Sequence, residues 1–376
     1  MSINSLRHLA VICVTLFYLP ANAADLILGQ VAPFSGPLAP TGVAFRHGIQ
    51  LYVDATNGAG GINGAKLKLV SKDDEYKTEK TVSATKELLN EANPVVLTGF
   101  VGTGNINAIL KERLLEDAGI PLVGVRSGAN NVLNSGNPWL FLTRAGYADE
   151  IAKIVELYVL TGTKRFAVLY QNDDFGQDGL KTLEKLSAEQ KFEIVARGSY
   201  EKNSTDVASA VKAIATANPQ TVIMISNTAA SAEFVKQIRA SGNVSQLVGL
   251  SVNDGQQMVS KIGVDTAKGV AFSQVVPAPN QASVALIREI QDALKRFPQG
   301  DASISHTMIE GYLTGKIVGE ALKKAGNNPS RKQLRDALKA TNKDFGGLTV
   351  NFTGKSQAGL KFVDLTILNK DGKLLR

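Results

Sequence analysis

The sequence contains a single cysteine, Cys13, which lies in an amino-terminal apolar segment, and only three histidines. If that segment is removed by processing, the remaining chain has no thiol for a disulfide or for nucleophilic catalysis. A histidine-based catalytic triad would then have to use His47 or His306. The sequence also lacks Gly-x-Ser-x-Gly, His-Glu-x-x-His and any cluster of cysteine and histidine. These absences disfavour a hydrolase and a zinc enzyme, and we expect no metal site.

Nucleotide-binding motifs are also missing. Gly99, Gly102 and Gly104 do not have the Gly-x-Gly-x-x-Gly spacing of a dinucleotide site. Gly354-Lys355-Ser356 resembles the end of a phosphate-binding loop, but Thr349 stands where its first glycine should be. We therefore expect no cofactor.

Two pairs of acidic residues are the remaining candidates for catalysis. Asp73-Asp74 and Asp173-Asp174 each follow a predicted strand and could perform general acid–base chemistry. Acids at such positions commonly cap a helix or face solvent, which is the interpretation we favour. An exported enzyme that uses one of these pairs stays as an alternative.

The charge balance is basic but dispersed. Lys and Arg number 41 against 34 for Asp and Glu, which gives a net charge of +7, and Lys323-Lys324 is typical of the longest runs. A nucleic-acid surface would need clustered basic residues interleaved with aromatics. The composition predicts a solvated cationic surface and no nucleic-acid partner.

Residues 1–23 have the three-part pattern of a secretory signal. Arg7 and His8 precede the apolar run Leu9–Leu19, and Pro20 and Ala21-Asn22-Ala23 follow it. The run is about half the ~20 residues that a membrane anchor needs. We predict cleavage after Ala23, and a periplasmic protein whose mature chain does not span the membrane.

Short β-branched runs alternate with helix-period runs along the rest of the chain, which is typical of a parallel sheet flanked by helices. The predicted strands fall into two successive sets of four, which indicates two similar lobes. They begin near Leu26, Leu67, Val95 and Leu122, and near Phe166, Phe192, Val222 and Leu247.

The segment after residue 275 does not begin a third set. It predicts helices over Gln281–Phe297, Ser303–Ala325 and Ser330–Ala340, then strands over Leu348–Phe352 and Phe362–Leu368. These elements include too few strands to form a core of their own, so we expect them to complete the two lobes.

The loops after the predicted strands contain the candidate binding residues, since ligands of open α/β sheets bind beyond the carboxyl ends of strands. Gly102, Thr103 and Asn105 lie at the start of a predicted helix, where backbone N–H groups and the Thr103 hydroxyl could bind a carboxylate. Alternatively, Thr103 or Asn105 only caps that helix. Asp254 either pairs with a ligand ammonium or is a turn residue before a helix.

Five segments carry a family resemblance: Gly29–Pro37, Asn57–Gly64, Gly99–Asn105, Phe175–Gly179 and Ile238–Gly242. The segment Asn57–Gly64 is the most specific of them. With these segments the sequence resembles the periplasmic branched-chain amino-acid-binding proteins, which are type I solute-binding receptors of ABC transporters. The resemblance covers essentially the whole chain after residue 23.

The resemblance implies an α/β protein of the type I periplasmic-binding-protein fold, with two Rossmann-like lobes, a three-crossover hinge and an interlobe cleft that closes on a small ligand. It also implies a monomer that docks on an ABC permease at the inner membrane and catalyses no reaction. The implied crossovers lie near 143–146, 272–277 and 346–351. After the signal peptide, 1–23, the implied lobes are 24–143 with 277–347, and 144–276 with 348–376.

Family site residues transfer to this sequence one by one. Thr103 matches the hydroxyl that holds the ligand carboxylate, helped by the backbone of 102–105, and Phe175 matches an aromatic that covers the ligand from the second lobe. Tyr147, at the first crossover, either reaches the ligand or packs in the hinge. The loop that holds the carboxylate and the amino group is matched by Ser127, Gly128 and Ala129.

Other positions depart from the leucine-type pattern. A second-lobe tyrosine position falls on Asn227, and the acid that usually receives the ammonium falls near Ser251, with Asn253 and Asp254 just beyond. Arg126, beside the expected pocket, could bind a second carboxylate or an aromatic acid.

Two ligand classes are therefore open. The leading hypothesis is a receptor for a branched-chain-type amino acid or similar small carboxylate, which Asp254 inside the pocket would favour. The alternative is a ligand such as an aromatic acid, urea or a short amide, which an acid-free pocket with Arg126 inside would favour. A ligand-sensing module for a separate signalling partner is a third possibility.

Overall fold

The computed structural model of the protein describes residues 24–354 and 356–376, so the predicted signal segment lies outside the described residues. Among the residues described, no helix is long and apolar enough to span a bilayer. The elements form two sheets, each covered by helices. We name each sheet with its packed helices the first and the second lobe.

The first lobe begins with five parallel strands, which pair in the order β2-β1-β3-β4-β5. These strands are β1 Leu26–Ala32, β2 Leu67–Asp73, β3 Val96–Thr98, β4 Leu122–Val123 and β5 Leu140–Phe141. Their connecting helices are α1 Ala39–Gly58, α2 Thr78–Ala92, α3 Thr103–Lys111, α4 Leu114–Ala118 and α5 Asn130–Leu133. Buried residues of α2 recur at spacings of three and four, so one apolar face packs on the sheet.

The second lobe repeats this order, with five parallel strands paired as β7-β6-β8-β9-β10. The strands are β6 Arg165–Gln171, β7 Glu193–Tyr200, β8 Thr221–Ile225, β9 Gln246–Gly249 and β10 Ala271–Gln274. The helices are α6 Tyr147–Leu160, α7 Asp174–Gln190, α8 Ala208–Ala217, α9 Thr228–Ala240, α10 Gly255–Ile262 and α11 Val264–Ala267. The two predicted sets of strands are thus confirmed, each with an additional fifth strand.

The carboxy-terminal elements complete both lobes, as the sequence predicted. They are α12 Ala285–Arg296, α13 His306–Ala325, α14 Arg331–Lys339, β11 Asn342–Asp344, β12 Thr349–Asn351, β13 Asp364–Leu368 and β14 Leu374–Leu375. Helices α12 to α14 share a core with α1 of the first lobe. Strands β13 and β14 extend the second sheet antiparallel beside β10.

The last crossover lies later than predicted. Val350, Phe352 and Leu360 belong to the first-lobe core, and the Phe352 ring meets Phe141 edge-on with centroids 5.2 Å apart. The predicted boundary at 347/348 is therefore wrong, because this apolar segment buries its side chains beside β5 before the chain enters the second lobe at β13. The other lobe boundaries remain predictions.

Helices α1 and α13 approach unusually closely. A Cβ atom on Gly48 would lie 2.6 Å from the Tyr312 backbone nitrogen and would overlap the Met308 carbonyl oxygen. Gly311 faces the Phe45 carbonyl in the same way. This glycine contact holds the first turns of α13 at the edge of the interlobe cleft, where His306 and Glu310 project.

Candidate ligand-binding site

A small cavity of about 30 Å³ lies between the lobes, beyond the carboxyl ends of the strands. We name it the cleft cavity. The first lobe contributes Leu38, Thr41, Tyr76, Val101, Gly102, Thr103 and Arg126, and the second lobe contributes Tyr147, Phe175, Asn227 and Val252. None of these lining residues is acidic.

The start of α3 gives the cleft cavity its anion-binding character. Gly102 is the N-cap residue, has a φ of 102° and provides no side-chain cap, so neither Thr103 nor Asn105 caps this helix. Thr103 is 1% exposed, and its Oγ1 lies 2.9 Å from Ser127 Oγ. Two hydroxyls and the positive end of α3 therefore converge where a carboxylate could bind.

Arg126 is the one cation among the described residues that lines the cleft cavity, and it is 2% exposed. Its Nη1 donates to Glu310 Oε1 at 2.5 Å, and its Nη2 donates to the Ser251 carbonyl oxygen at 2.9 Å. Ser251 belongs to the second lobe, so the guanidinium joins the two lobes. The guanidinium carries five N–H donors, so these two hydrogen bonds do not use all of them.

A chain of buried charges continues behind Arg126. Arg144, in the first crossover, donates to Glu310 Oε2 at 3.3 Å and to Glu150 Oε1 at 2.9 Å. Glu150 also accepts from the Ser251 backbone N–H at 2.9 Å. Two arginines and two glutamates thus neutralise each other, which is the condition under which burial of charge is tolerated.

Aromatic rings form much of the remaining wall. The Tyr147 and Phe175 rings are 5.0 Å apart and tilted, and the Arg144 guanidinium lies 5.5 Å from the Tyr147 ring centroid. Burial raises the pKa of Tyr147 to about 12, so its hydroxyl stays protonated at neutral pH. Tyr76 adds a third ring from the first lobe.

The lobes are in contact across the mouth of the cleft. Asn107 Nδ2 donates to Asp174 Oδ2 at 2.6 Å, and the Asn130 backbone N–H donates to Asp178 Oδ1 at 3.1 Å. Lys202 of the second lobe donates to Asn105 Oδ1 at 2.8 Å. Because these hydrogen bonds join the two lobes, opening of the cleft would break them.

The predicted ligand residues divide into three groups, of which the first two lie at or beside the cleft cavity. Gly102, Thr103, Arg126, Tyr147, Phe175 and Asn227 line the cleft cavity. Ser127 contacts Thr103 beside it, the Gly128 carbonyl accepts from the Tyr147 backbone N–H at 2.7 Å, and Ala129 is buried directly after them.

Three predicted residues lie elsewhere. Asn105 is turned away from the cavity, toward Thr81 and Lys202. Asn253 Nδ2 donates to the Ser226 and Leu250 carbonyls inside the second lobe. Asp254 caps α10 by accepting from the Gln257 backbone N–H at 3.0 Å and does not line the cleft cavity.

The acidic pairs that could have been catalytic have structural contacts. Asp74 is buried and accepts from the Thr81 hydroxyl at 2.7 Å, and Asp173 caps α7 through the Phe175 and Gly176 backbone N–H groups. Within residues 24–354 and 356–376, no group of three or more His, Cys, Asp or Glu could hold a metal ion.

Several site residues were not predicted from the sequence. Tyr76 follows β2, whose loop obeys the same carboxyl-end rule as the loops that were selected. Leu38 and Val252 are ordinary apolar residues with no local signal. Glu310 meets Arg126 from 184 residues away, so only the folded chain brings them together.

Comparison with known proteins agrees with this architecture. A family model described as periplasmic binding protein matches residues 26–366, and the chain belongs to that family. A substrate-binding periplasmic protein from Ralstonia solanacearum is 34% identical, with 93% of this chain and 99% of that chain covered and a TM-score of 0.90.

Two further relatives show the same breadth of match. An extracellular ligand-binding receptor from Verminephrobacter eiseniae is 30% identical, with coverage of 94% and 100% and a TM-score of 0.84. A Leu/Ile/Val-binding protein homolog from Brucella abortus is 25% identical over 81% of this chain and 78% of its own length. The family and the type I fold expected from the sequence are confirmed: the chain is a solute-binding protein of the ABC-transporter type.

Proposed function

We propose that this protein is the periplasmic receptor of an ABC importer for a small carboxylate that lacks an ammonium group. One observation carries the proposal: among the described residues, the cleft cavity is lined by a cation, Arg126, and by no acid. An ammonium in such a site would lose its hydration without gaining a counter-charge.

The carboxylate would bind at the start of α3. Thr103 and Ser127 supply hydroxyl donors, and the first backbone N–H groups of the helix supply the rest. Arg126 adds positive potential, although Glu310 balances its charge. A single carboxylate therefore suits the site better than a dianion.

The remainder of the ligand would be apolar. Tyr76, Tyr147 and Phe175 present ring faces, and Val101 and Val252 complete the wall. An aromatic or branched aliphatic acid would bury its hydrocarbon against these groups, and the lobes would have to open further than they do here to admit it, because the cavity of about 30 Å³ holds little more than one water molecule. The carboxylates of Glu150 and Glu310 cannot receive an amine, because both are already engaged by buried arginines.

Transport would follow from closure of the hinge. The ligand contacts both lobes only when they are together, so its binding shifts the population toward the closed form that a membrane permease recognises. Export by residues 1–23 and action as a monomer complete the proposal.

Matched acids and amino acids test the ligand class. We would unfold and refold the mature protein to remove bound ligand, then measure thermal shifts with isocaproate against leucine and phenylpropanoate against phenylalanine. Isocaproamide and urea test uncharged ligands, and benzoate tests a shorter aromatic acid. We expect the acids to raise the melting temperature more than the amino acids, and selective stabilisation by leucine or phenylalanine would refute the proposal.

A further inference from the structure

Arg126 and Thr103 border the same small cavity, and the backbone fixes their relation to each other. The Arg126 backbone N–H donates to the Phe100 carbonyl at 2.7 Å, and the Arg126 carbonyl accepts from the Gly102 backbone N–H at 3.3 Å. These hydrogen bonds hold Arg126 beside the start of α3, where the carboxylate of a ligand would bind. Both residues belong to the first lobe, so a hinge motion of the lobes would not separate them.

The Arg126 guanidinium has more donors than its partners in the protein use. Nη1 donates to Glu310 Oε1 at 2.5 Å, and Nη2 donates to the Ser251 carbonyl oxygen at 2.9 Å. A guanidinium carries five N–H donors and no acceptor, so these two bonds leave three donors without a partner among the described residues. A ligand group that meets this side chain must therefore accept a hydrogen bond.

The Ser251 carbonyl shows which kind of acceptor the guanidinium takes at the cleft. Its oxygen is neutral and belongs to the second lobe. A ligand larger than the cleft cavity, about 30 Å³, would hold the lobes further apart and draw this oxygen away from Arg126. An acceptor on the ligand would then replace it, because a buried N–H without a partner is costly.

The charge around Arg126 favours a neutral acceptor over a second carboxylate. Glu310 already pairs with Arg126 and with Arg144, and Arg144 also pairs with Glu150. The two buried arginines are thus balanced by two glutamates. A further carboxylate at Arg126 would add an uncompensated buried charge, whereas a carbonyl oxygen would not.

We propose that the ligand is a 2-oxo carboxylate, whose carboxylate binds at the start of α3 and whose 2-oxo oxygen accepts a hydrogen bond from Arg126. The acceptor lies on carbon 2 because Arg126 and Thr103 border one small space. This ligand class rests on the proposed function and makes Arg126 the residue that selects 2-oxo acids. An amino acid would instead present an ammonium, which can only donate, to a guanidinium that can only donate.

Acids that share a carbon skeleton and differ only at carbon 2 test this ligand class. We would titrate the refolded mature protein by calorimetry with 4-methyl-2-oxopentanoate and isocaproate, and with phenylpyruvate and phenylpropanoate. The key variant is Arg126→Lys, because a lysine can pair with Glu310 but lacks the planar fork that serves a second acceptor. Arg331→Lys is the matched control, since Arg331 also donates to backbone carbonyls, those of Pro94 and Ala118, but does not line the cleft cavity.

We expect the wild type and Arg331→Lys to bind at least one 2-oxo acid about tenfold more tightly than the plain acid of the same skeleton, the scale of one hydrogen bond to a charged group. In Arg126→Lys this ratio of affinities should fall to near one. The ratio is the readout because a change in folding or in closure would affect both acids alike.

Equal binding of the paired acids to the wild type would overturn the 2-oxo assignment and leave the proposed function in place, and this comparison needs no variant. A ratio that Arg126→Lys leaves unchanged would overturn the role of Arg126. If the wild type bound none of the four acids, the proposed function and the 2-oxo assignment would both be wrong.

Discussion

The Thr103 hydroxyl is the most direct test of the carboxylate position, because it lies 2.9 Å from Ser127 Oγ at the uncapped start of α3. We predict that Thr103→Val weakens binding of the best acid from the ligand screen by about 1 to 3 kcal/mol, through loss of a charge-assisted hydrogen bond. Calorimetry measures the change directly.

Thr98→Val is the matched control for this substitution. Thr98 is fully buried in β3, and within the described residues its hydroxyl has no hydrogen-bond partner. The same substitution at Thr98 should leave the affinity for the acid unaltered. If Thr103→Val and the wild type bound the acid with equal affinity, Thr103 would not be a ligand contact.

His306 makes stability depend on pH in a defined direction. Burial and the nearby Arg126 lower its pKa from 6.5 to about 4 in the folded protein. Between these values the unfolded chain binds a proton that the folded chain does not, so the free energy of unfolding falls as the pH falls through this window. The contribution is fully present above the unfolded pKa.

We predict that His306→Gln loses less stability than the wild type between neutral pH and about pH 4.5, as measured by urea unfolding. His47→Gln should show a smaller difference, since His47 is only half-buried. Parallel losses in wild type and His306→Gln would show that this imidazole titrates normally in the folded state.

Individual site residues could be predicted where the signal is local. Gly102 and Thr103 open a helix after a strand, and that arrangement is readable from neighbouring residues alone. Glu310 and Tyr76 could not be assigned in the same way, because their roles depend on what α13 and the β2 loop face after folding. Asp254 is the N-cap of α10, and sequence alone does not tell whether such a capping carboxylate also meets a ligand.

At the scale of elements, the packing of α1 on α13 positions Glu310 and His306. We predict that Gly48→Ala destabilises the protein by about 1 to 3 kcal/mol, because the added methyl meets backbone atoms that cannot rotate away. The gain in helix propensity, about 1 kcal/mol, does not offset this overlap. Urea unfolding gives the difference in free energy.

Gly104→Ala provides the comparison for stability. A Cβ atom there would have no neighbour closer than 3.9 Å, so we expect little change or a slight gain. If Gly48→Ala were as stable as Gly104→Ala, the two helices would have to separate at no cost, and the close contact would not fix the position of α13.

The longer elements were predictable from periodicity. Strand starts near Leu26, Leu67 and Leu122 agree with β1, β2 and β4 to the residue. The two-residue strand β5 and the three-residue strand β11 were missed, since such short strands contain no repeat. The strand near 349 was predicted, but its lobe was not, because that depends on contact with Phe141.

At the scale of the whole molecule, buried charges connect the lobes through the ligand site. Arg126 reaches the Ser251 carbonyl, Ser251 donates to Glu150, and Arg144 links Glu150 to Glu310, which returns to Arg126. This ring crosses between lobes at Arg126 and again at the crossover residue Arg144. A ligand that repositions Arg126 therefore acts on a contact that opening of the cleft must break.

Lys202 holds the opposite side of the closed cleft. Its ammonium donates to Asn105 Oδ1 at 2.8 Å and lies 4.3 Å from the Tyr76 ring centroid, although burial lowers its pKa and so opposes its charged form. Lys202→Met keeps an aliphatic side chain against Tyr76 and removes the charge. We predict that the variant opens more often, with a larger radius of gyration of the ligand-free protein in small-angle scattering.

The same variant should bind the acid from the screen several-fold more weakly, because apparent affinity scales with the population of the closed form. Lys185→Met, an exposed lysine on α7 of the same lobe, should change neither the radius of gyration nor the affinity. Lower affinity with an unchanged radius would place Lys202 in ligand contact rather than closure. An unchanged affinity would mean that the cleft mouth contributes nothing to holding the lobes together, which would leave the Arg126 ring and the ligand as the source of closure.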